Sequence, residues 1–462
     1  MSKPPLKVRT WANLSAAISK LYTAPDYKTG TTNAHAIIRS PSDSPNAHGK
    51  LPWKVTLYRD NHAWCPYCQK VWLFLEEKRV SYEIKKVTMF CYGEKEAWYK
   101  KIVPRGMLPA LEIENTKTGL QKIITESDVV LEVLEDIFGT LGNAKKGSSL
   151  FDEEVIKNRR LERKLFSAWC SWLCRPSYSS QAEEKAKFNF QSVCYELENR
   201  IKETAGPYLL DEFGISDTII TPYIERMQSS LYYYKGFNMR KEHPIINDWF
   251  TAMESRNCYR GTKSDHHTHV HDLPPQMGGC FYAYGFDPLI RPSNGKISTC
   301  ISEIDQIGKN KIFPEYEVDE TSFPEPENSR LEAVFRVLKH RENVAKINPI
   351  QGEPFDVALR AVLTMMIEKY LSDEEVEQLF NLPKKSALAL LFIRDRLSVP
   401  RDMSFWAGRR FREALGYVAE FYGDPADLAE YHNKNAPGNE SINRWSIPTD
   451  HRLDTDPKRF KE

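Results

Sequence analysis

Two cysteines separated by two residues, Cys65 and Cys68, lie where an apolar, strand-like run ends and a helix-like run begins. Residues 53–58 are rich in β-forming side chains, and residues 69–78 carry apolar side chains at helical spacing. Unpaired N–H groups and the positive end of the dipole at a helix start stabilise an anion such as a thiolate. Cys68 follows about one helical turn later, close enough to attack a disulfide formed on Cys65. The pattern therefore predicts a redox dithiol at a strand-to-helix turn.

A Cys-x-x-Cys pair has two other interpretations, half of a zinc site or two unreactive thiols. The sequence contains no second pair with zinc-like spacing. The preceding strand, the following helix and Pro66 between the cysteines favour redox chemistry. We therefore predict no metal ligands at this position.

Length and composition limit the classes of protein that remain. A chain of 462 residues is too long for one ordinary core, so we expect two or three domains. The net charge of +1 gives no electrostatic basis for binding nucleic acid. No apolar run approaches the roughly 18 to 20 residues that span a bilayer. Nine widely spread cysteines do not suggest a disulfide framework, which favours a reducing compartment.

Strand and helix patterns alternate between residues 51 and 140. A strand at 82–87 and a helix at 91–102 follow the first helix. The turn at 115–119 separates two strand-like runs, which indicates a β-hairpin, and a last helix ends at Gly139. The resulting order, βαβαββα, predicts an α/β thioredoxin-like domain.

Residues 53–139 resemble the thioredoxin-type domain of glutathione transferases, with a glutaredoxin-style active site. The Cys65-Pro66-Tyr67-Cys68 motif is the first of three matches. The second is Leu108-Pro109, which matches the proline that the family holds in the cis form before its third strand. The third is Glu126-Ser127 at a helix start, which matches the family's site for the γ-glutamyl carboxylate of glutathione.

The resemblance implies that glutathione is a cosubstrate bound at these motifs. A cis proline exposes the backbone of the preceding residue to an extended peptide, and helix N–H groups hold a carboxylate. Glutaredoxins commonly carry a lysine three residues before the first cysteine. This chain has His62 there, which we expect to be exposed to solvent and without a role. The glutathione-binding residues implied by the resemblance are Tyr67, Leu108, Pro109, Glu126 and Ser127.

Long, charged and aromatic-rich helical patterns predict an all-α domain over residues 150–265. This range resembles the helical domain of glutathione transferases, whose central buried helix starts with a Ser/Thr-x-x-Asp cap. Asp217 fits the fourth position of that cap, and Gly214 stands at the first. Glycine at a cap costs only about a few tenths of a kcal/mol, so we expect the helix to start there.

Residues 266–462 extend beyond an ordinary glutathione transferase. They begin with the histidine-rich run 266–271, which could bind a metal but which we expect to be a loop facing water. Apolar residues at helical spacing between 355 and 370 predict a mainly helical extension. A capping box at 372–375 and a basic helix face at 409–412, expected to be solvated, belong to it.

The two ends of the chain differ from these regular parts. Residues 1–50 are predicted to form an N-terminal arm, extended from about residue 29, and the last forty or so residues a polar tail. Taken together, the chain resembles the iota class of glutathione transferases, which is found in photosynthetic organisms. The motif Asp272-Leu273-Pro274-Pro275-Gln276 carries this resemblance together with the dithiol. It favours the cytoplasm or a plastid stroma as the compartment.

The chemistry implied is glutathione-dependent thiol–disulfide exchange, as in a thioltransferase or deglutathionylase and including the reduction of dehydroascorbate. Cys65 attacks as the thiolate nucleophile, and a second glutathione or Cys68 resolves the mixed disulfide. The expected partners are glutathione and a glutathionylated or small oxidised substrate. A protein partner bound through residues 266–462 is a further expectation.

Two alternatives remain open at the level of the sequence. The chain could be a non-catalytic ligand-binding or assembly protein that uses its extension as a docking surface. It could also hold an iron–sulfur cluster between two copies of Cys65 and two glutathiones, although Pro66 weighs against that.

Overall fold

The computed structural model describes residues 7–24, 52–142, 149–204, 206–284, 322–368 and 379–434. These residues form two compact units. The first, called the helical unit, combines residues 7–24, which contain helix α1 (Trp11–Leu21), with 324–368 and 379–434. The second, called the dithiol unit, contains the described residues from 52 to 284 together with 322–323. In the described ranges, no helix is both long and apolar enough to span a membrane.

A four-stranded mixed sheet opens the dithiol unit. Strand β1 (Trp53–Asp60) pairs in parallel with β2 (Glu83–Val87) and antiparallel with β3 (Ala110–Asn115). Strand β4 (Gln121–Thr125) pairs antiparallel with β3, so the order across the sheet is β2-β1-β3-β4. Three helices complete the predicted order βαβαββα, which is confirmed: α2 (Pro66–Glu77), α3 (Ala97–Ile102) and α4 (Ser127–Phe138).

Strand β1 lies between β2 and β3 and is paired with a neighbour on each edge. Leu57, which is fully buried, lies opposite Ile84 on β2 and Leu111 on β3. A strand paired on both edges cannot slip by one residue without moving its apolar side chains to the wrong face. The end of β1 therefore fixes where the segment from Asn61 to Cys65, called the dithiol loop, begins.

Seven helices follow the sheet in the described part of the dithiol unit. The central one, α7, is buried along nearly its whole length, as predicted. Its cap is the one expected, because Asp217 accepts a hydrogen bond from the Gly214 N–H at 3.0 Å. The helices are α5 (Glu153–Leu173), α6 (Ser180–Lys202), α7 (Ile215–Lys235), α8 (Met239–Glu242), α9 (Pro244–Glu254), α10 (Asn257–Thr262) and α11 (His266–Met277).

The predicted solvent-facing histidine loop is wrong, because its residues form helix α11. The Asp265 side chain caps this helix by accepting a hydrogen bond from the Thr268 N–H at 3.0 Å. His266, His267 and His269 are each at most 2% exposed. The helix packs on α7, so these three histidines lie inside the unit.

The helical unit consists of α1 and six described helices around one apolar core. Leu14 and Ile18 of α1 are buried in the same core as Val362 and Leu390. The described helices are α12 (Ser329–Lys339), α13 (Arg341–Ile347), α14 (Glu353–Ile367), α15 (Ser386–Arg396), α16 (Phe405–Tyr422) and α17 (Pro425–Lys434). The mainly helical character of the extension agrees with its prediction.

One prediction about the extension is wrong. Arg409 and Arg412, expected on a solvated face of α16, are 4% and 0% exposed. The Arg412 Nη1 donates to the Leu397 carbonyl at 3.0 Å, because a buried guanidinium must find acceptors inside the protein. The predicted capping box at 372–375 and the polar tail lie outside the described residues.

The predicted domain boundaries at residues 50, 140–150 and 265 stay proposals. Within the described residues, α11 belongs with the dithiol unit and α1 belongs with the helical unit. The extended part of the predicted arm, from residue 29 to 50, lies outside the described chain.

Candidate active site

Cys65 occupies the cap position at the start of α2, and Pro66 is the first residue of that helix. Proline suits this position because an N–H group at the first helical residue has no partner within the helix, so its absence costs nothing. The φ angle of proline is also already helical. The Gln69 N–H donates to the Cys65 carbonyl at 2.9 Å, which closes the first turn. Cys65 is 6% exposed and Cys68 1%. The first thiol thus lies at the positive end of α2, and only a small part of the residue reaches solvent.

The two thiols lie in direct contact and differ in their roles. Burial raises the pKa of Cys68 well above its ordinary value, and a hydrogen bond to Cys65 raises it further. Cys68 is therefore a neutral thiol that donates its proton toward the Cys65 sulfur. Such a donor stabilises negative charge on Cys65 rather than on Cys68.

A buried carboxylate stands beside the dithiol. Ligand atoms of Asp60, Cys65 and Cys68 lie within 4.8 Å of one another. The Trp64 N–H donates to Asp60 Oδ2 at 2.7 Å. The Arg59 guanidinium, fully buried and 4.6 Å from the centre of a tryptophan ring, donates through Nη1 to the Asp60 carbonyl at 3.0 Å. This cationic neighbour favours a thiolate here over a divalent cation, and the absence of metal ligands stays a prediction.

A closed ring of hydrogen bonds holds the dithiol loop from behind. The Arg226 Nη2 donates to the Trp64 carbonyl, and its Nη1 donates to Gln69 Oε1 at 2.9 Å. The Gln69 Nε2 donates to Glu225 Oε2 at 3.0 Å, and Glu225 Oε1 lies 2.8 Å from His269 Nε2. The Trp64 Nε1 donates to His269 Nδ1 at 3.0 Å, which closes the ring. Residues just before and just after the dithiol are thereby tied to α7 and α11.

The ring fixes the protonation of its histidine. Because His269 Nδ1 accepts from Trp64, its Nε2 carries a proton and donates to Glu225. Burial raises the pKa of Glu225, but His269 and nearby positive charges lower it below the ordinary value. A buried carboxylate with three donors around it is a stable anion rather than a proton carrier. The third donor is the Ser264 N–H at 2.6 Å from Oε1.

Helix α11 contacts the thioredoxin-like part of the dithiol unit at two further points. The Tyr92 hydroxyl donates to Asp272 Oδ1 at 2.7 Å, and the Gln276 Nε2 lies 2.8 Å from Cys91 Sγ. His62, expected to be exposed, is fully buried, stacked on Tyr92 with ring centres 4.1 Å apart. The expectation of an exposed His62 is wrong because α11 covers it. The thioredoxin-type pattern on which the expectation was based does not include this helix.

The Leu108–Pro109 peptide bond is cis, as the family resemblance implied. Leu108 is partly buried and packs against the cluster that contains Cys65 and Cys68. The Tyr99 hydroxyl donates to the Met107 carbonyl at 2.6 Å, which holds the turn before this bond. The structure therefore brings the second motif to the dithiol.

Glu126 and Ser127 lie at the start of α4, which packs against α2. Glu126 has a φ of 66°, in the left-handed region that non-glycine residues rarely adopt. Such strain is often found where a backbone group is aimed at a ligand. Ser127 is buried, whereas Tyr67 on the first turn of α2 is 40% exposed and meets Tyr223 edge to face.

Sequence patterns did not identify several residues around the dithiol. The arginines, Arg59 and Arg226, and the acids, Asp60 and Glu225, carry no local motif. A signal was present for α11 alone, because His269, Asp272 and Gln276 repeat at helical spacing and mark one face.

A thioredoxin-like sheet, a cysteine at the first turn of a helix and a cis proline packed beside it define a thiol-bearing protein of the thioredoxin fold with an added helical domain. Residues 64–137 match the family model described as the N-terminal domain of glutathione S-transferase. This segment therefore belongs to the family of glutathione S-transferase N-terminal domains.

The chain is also similar to known proteins over part of its length. Glutathione S-transferase L3 of Arabidopsis thaliana is 29% identical over 203 residues, which are 44% of this chain and 79% of that protein. Glutathione S-transferase DHAR3, chloroplastic, of the same plant is 24% identical over 218 residues, 46% of this chain and 75% of that protein. A solved structure, glutathione transferase Omega 3C from Trametes versicolor, is 26% identical with a TM-score of 0.38, covering 46% of this chain and 89% of that chain.

Proposed function

We propose that this glutathione transferase is a thiol–disulfide oxidoreductase, acting as a thioltransferase or deglutathionylase, with Cys65 as its nucleophile. The observation that carries the proposal is the contact in which the neutral, buried Cys68 thiol donates toward the Cys65 sulfur at the start of α2. A helix terminus and a thiol donor both stabilise a thiolate at Cys65. A conjugating enzyme instead needs a hydroxyl that stabilises the thiolate of glutathione itself.

Glutathione is the cosubstrate in this proposal. The curated relatives named L3 and DHAR3 are glutathione S-transferases, and the DHAR name is consistent with dehydroascorbate as one small oxidised substrate. Glu126 and Ser127 would receive the γ-glutamyl carboxylate at the N-terminus of α4. Leu108, Pro109 and Tyr67 would line the rest of the tripeptide.

The reaction proceeds in two exchanges that balance. The Cys65 thiolate attacks the glutathionyl sulfur of a mixed disulfide, and the substrate sulfur leaves as a thiolate that takes a proton from water. A second glutathione, as its thiolate, then attacks the glutathione sulfur of the Cys65–glutathione disulfide, which forms glutathione disulfide and releases the Cys65 thiolate. The products are the reduced substrate and glutathione disulfide, and Cys68 offers an intramolecular route for the second step.

Small disulfides are the favoured substrates in this scheme. Cys65 is only 6% exposed, so a folded glutathionylated protein can approach it only through its own flexible segment. Hydroxyethyl disulfide and glutathionylated peptides should therefore be reduced faster than a rigid glutathionylated protein.

The decisive test compares two serine variants. Cys65→Ser should lower thioltransferase activity to background, whereas Cys68→Ser should keep much of it, because a second glutathione can resolve the intermediate. The assay is reduction of hydroxyethyl disulfide coupled to glutathione reductase, with Cys91→Ser as the control thiol beside the site. Equal loss in the Cys65 and Cys68 variants would refute the route through a second glutathione.

Three finer expectations stay proposals. The compartment is the cytoplasm or a plastid stroma, and one relative is named chloroplastic. The partner bound through residues 266–462 and the placement in the iota class have only the sequence pattern as support. Absence of Cys65-dependent turnover together with a co-purifying ligand would favour the binding or assembly protein instead.

A further inference from the structure

Three cysteines away from the dithiol loop form a row of contacting thiols. Cys170 lies in the last turn of α5, and Cys174 is its C-terminal cap residue. The Cys170 thiol hydrogen-bonds to Cys174, and the Cys174 thiol hydrogen-bonds to Cys280. Cys280 is fully buried, whereas Cys170 and Cys174 are partly exposed. The chemistry of the dithiol at Cys65 does not use these three groups.

The backbone holds Cys174 and Cys280 together independently of their side chains. The Phe281 N–H donates to the Leu173 carbonyl at 2.8 Å. The first group belongs to the peptide unit that follows Cys280, and the second to the peptide unit that precedes Cys174. The α-carbons of Cys174 and Cys280 are therefore attached to two peptide groups that are hydrogen-bonded to each other. This arrangement keeps the two α-carbons close, as a disulfide requires, since it joins α-carbons about 4.4 to 6.8 Å apart.

The segment that carries Cys280 is anchored on either side of this contact. The Ala283 N–H donates to the Tyr234 carbonyl at 2.9 Å, and the Tyr284 N–H lies 3.4 Å from Glu183 Oε2. Glu183 also pairs with Lys235, whose Nζ lies 3.2 Å from Oε1. The charge of Lys235 acts to lower the pKa of Cys174, but the hydrogen bond to Cys280 and burial outweigh it.

We propose that Cys174 and Cys280 are a second redox pair, which glutathione disulfide closes to a disulfide that ties the chain after α11 to the end of α5. The Cys174 thiolate attacks one sulfur of glutathione disulfide, forming a mixed disulfide and releasing one glutathione thiolate. The Cys280 thiolate then attacks the Cys174 sulfur and releases the second glutathione. Two protein thiols are oxidised, one glutathione disulfide is reduced to two glutathiones, and the two thiol protons go to these products.

The environment makes this pair slow to react. The hydrogen bond from Cys170 acts to lower the pKa of Cys174. The hydrogen bond to Cys280 and burial act in the opposite direction and outweigh it, so the pKa rises to about 12. Few molecules carry the thiolate at neutral pH, and the thiolate is the reactive form. The pair therefore responds to sustained oxidation and stays reduced during brief turnover at Cys65.

Closure would act on the active site through α11. The disulfide fixes the residues directly after α11, and α11 supplies His269 to the ring behind the dithiol loop. A covalent bond across the roughly 100 residues between the two cysteines restricts the unfolded chain strongly. We expect the oxidised dithiol unit to unfold at a temperature roughly 5 to 10 °C above the reduced one.

The test uses the full chain equilibrated in glutathione buffers from reducing to oxidising. Free thiols are alkylated, the protein is digested without reduction, and peptides are identified by mass spectrometry. A peptide linking Cys174 to Cys280 should appear in oxidising buffer, disappear with dithiothreitol, and be absent from Cys280→Ser. Cys194→Ser, which removes a buried thiol elsewhere on α6, and Cys65→Ser should both retain it.

Two outcomes would overturn the proposal. One is the absence of the linked peptide in wild-type protein when the Cys65–Cys68 pair is fully oxidised. The other is a Cys170–Cys174 link, or a lasting glutathione adduct on Cys174, in place of the expected peptide. Because the wild-type measurement is decisive, a folding defect in Cys280→Ser leaves the test intact. Cys280→Ser should keep full thioltransferase activity in reducing buffer, which separates this pair from the chemistry of Cys65.

Discussion

Arg226 is the residue around which the electrostatics of the dithiol loop are arranged. It comes from α7, is fully buried, and lies with its guanidinium 4.3 Å from the centre of the Trp64 ring. Burial lowers the pKa of Arg226, while Glu225, Cys65 and Asp60 act in the opposite direction. A buried cation of this kind needs anions nearby; Glu225 is one of them, and in the proposed mechanism the Cys65 thiolate is another.

We expect Arg226→Met to slow alkylation of Cys65 at neutral pH by about tenfold. The substitution removes both a positive charge and the donor that fixes the Trp64 carbonyl. The measurement is the second-order rate with iodoacetamide, followed on the peptide that contains Cys65. Arg226→Lys should give an intermediate rate, because it keeps the charge but loses the forked geometry.

A matched control is available on the same side of the site. Arg163 lies over the ring of Tyr223 and its side chain is 48% exposed, so Arg163→Met should leave the rate unchanged. If Arg226→Met reacts as fast as wild type, Arg226 has no part in stabilising the thiolate.

At the scale of elements, α11 joins the thioredoxin-like sheet to the helices of the dithiol unit. One face of it presents His269, Asp272 and Gln276 to partners in the thioredoxin-like part of the unit. The motif that carried the family resemblance, Asp272 to Gln276, is thus a contact surface within the unit. This accounts for the burial of a polar, proline-containing helix.

His269→Ala should destabilise the dithiol unit by about 1 to 3 kcal/mol. The change removes one hydrogen-bond partner from the buried Trp64 Nε1 and one from a buried Glu225 oxygen. A loss of about 1 to 3 kcal/mol is the usual cost of leaving a buried polar group without its partner. Urea unfolding followed by circular dichroism measures the change, and thioltransferase activity should fall with it. His269→Gln should recover part of both, since an amide can accept and donate; an unchanged midpoint in His269→Ala would show that the ring is dispensable.

The cap of α7 makes stability depend on pH. Burial raises the pKa of Asp217 to about 6, although donors from Leu209, Trp249 and Gly214 act against it. The unfolded carboxyl titrates near 3.9, so between about pH 4 and 6 the folded state binds more protons than the unfolded state. The free energy of unfolding should therefore fall by about 1 to 3 kcal/mol as pH rises through this window.

Asp217→Asn is the control for this dependence, because the amide does not titrate. Urea midpoints at pH 4 to 6.5 should fall more steeply for wild type than for the variant. Parallel pH profiles in the two proteins would contradict the assignment of this slope to Asp217.

Sequence patterns predicted the strands and helices better than they predicted which side chains are buried. The order of strands and helices around Cys65 and the capped start of α7 follow from local periodicity and turn residues, which each segment carries itself. The burial of His62, of three histidines on α11 (His266, His267 and His269) and of Arg412 depends on which distant helix covers each position. Local sequence patterns do not show which distant helix covers a residue, so the charged and imidazole side chains were expected to be exposed to solvent.

At the scale of the molecule, the helical unit is assembled from both ends of the described chain. The Thr364 hydroxyl oxygen accepts from the Arg9 N–H at 3.0 Å, and the Trp11 Nε1 donates to Asp356 Oδ1 at 2.6 Å. Helix α1 is therefore part of that core, rather than an appendage of the dithiol unit.

Leu14→Ala should destabilise the helical unit by about 2 to 5 kcal/mol, the usual cost of removing a fully buried leucine side chain. Calorimetry of the full chain measures it, and thioltransferase activity at 25 °C should not change. Leu21→Ala is the control on the same helix, because Leu21 is 52% exposed and its loss should cost less than about 0.5 kcal/mol. Equal effects of the two substitutions would argue against the core position of α1.

The link between α1 and α14 has a consequence for biosynthesis. Arg9 leaves the ribosome before its partner Thr364, which is 355 residues further along the chain. At about 5 to 20 residues per second, the nascent α1 waits some tens of seconds with Leu14 and Ile18 uncovered. During that interval the apolar face of α1 is a binding site for chaperones, while the dithiol unit is already complete enough to fold.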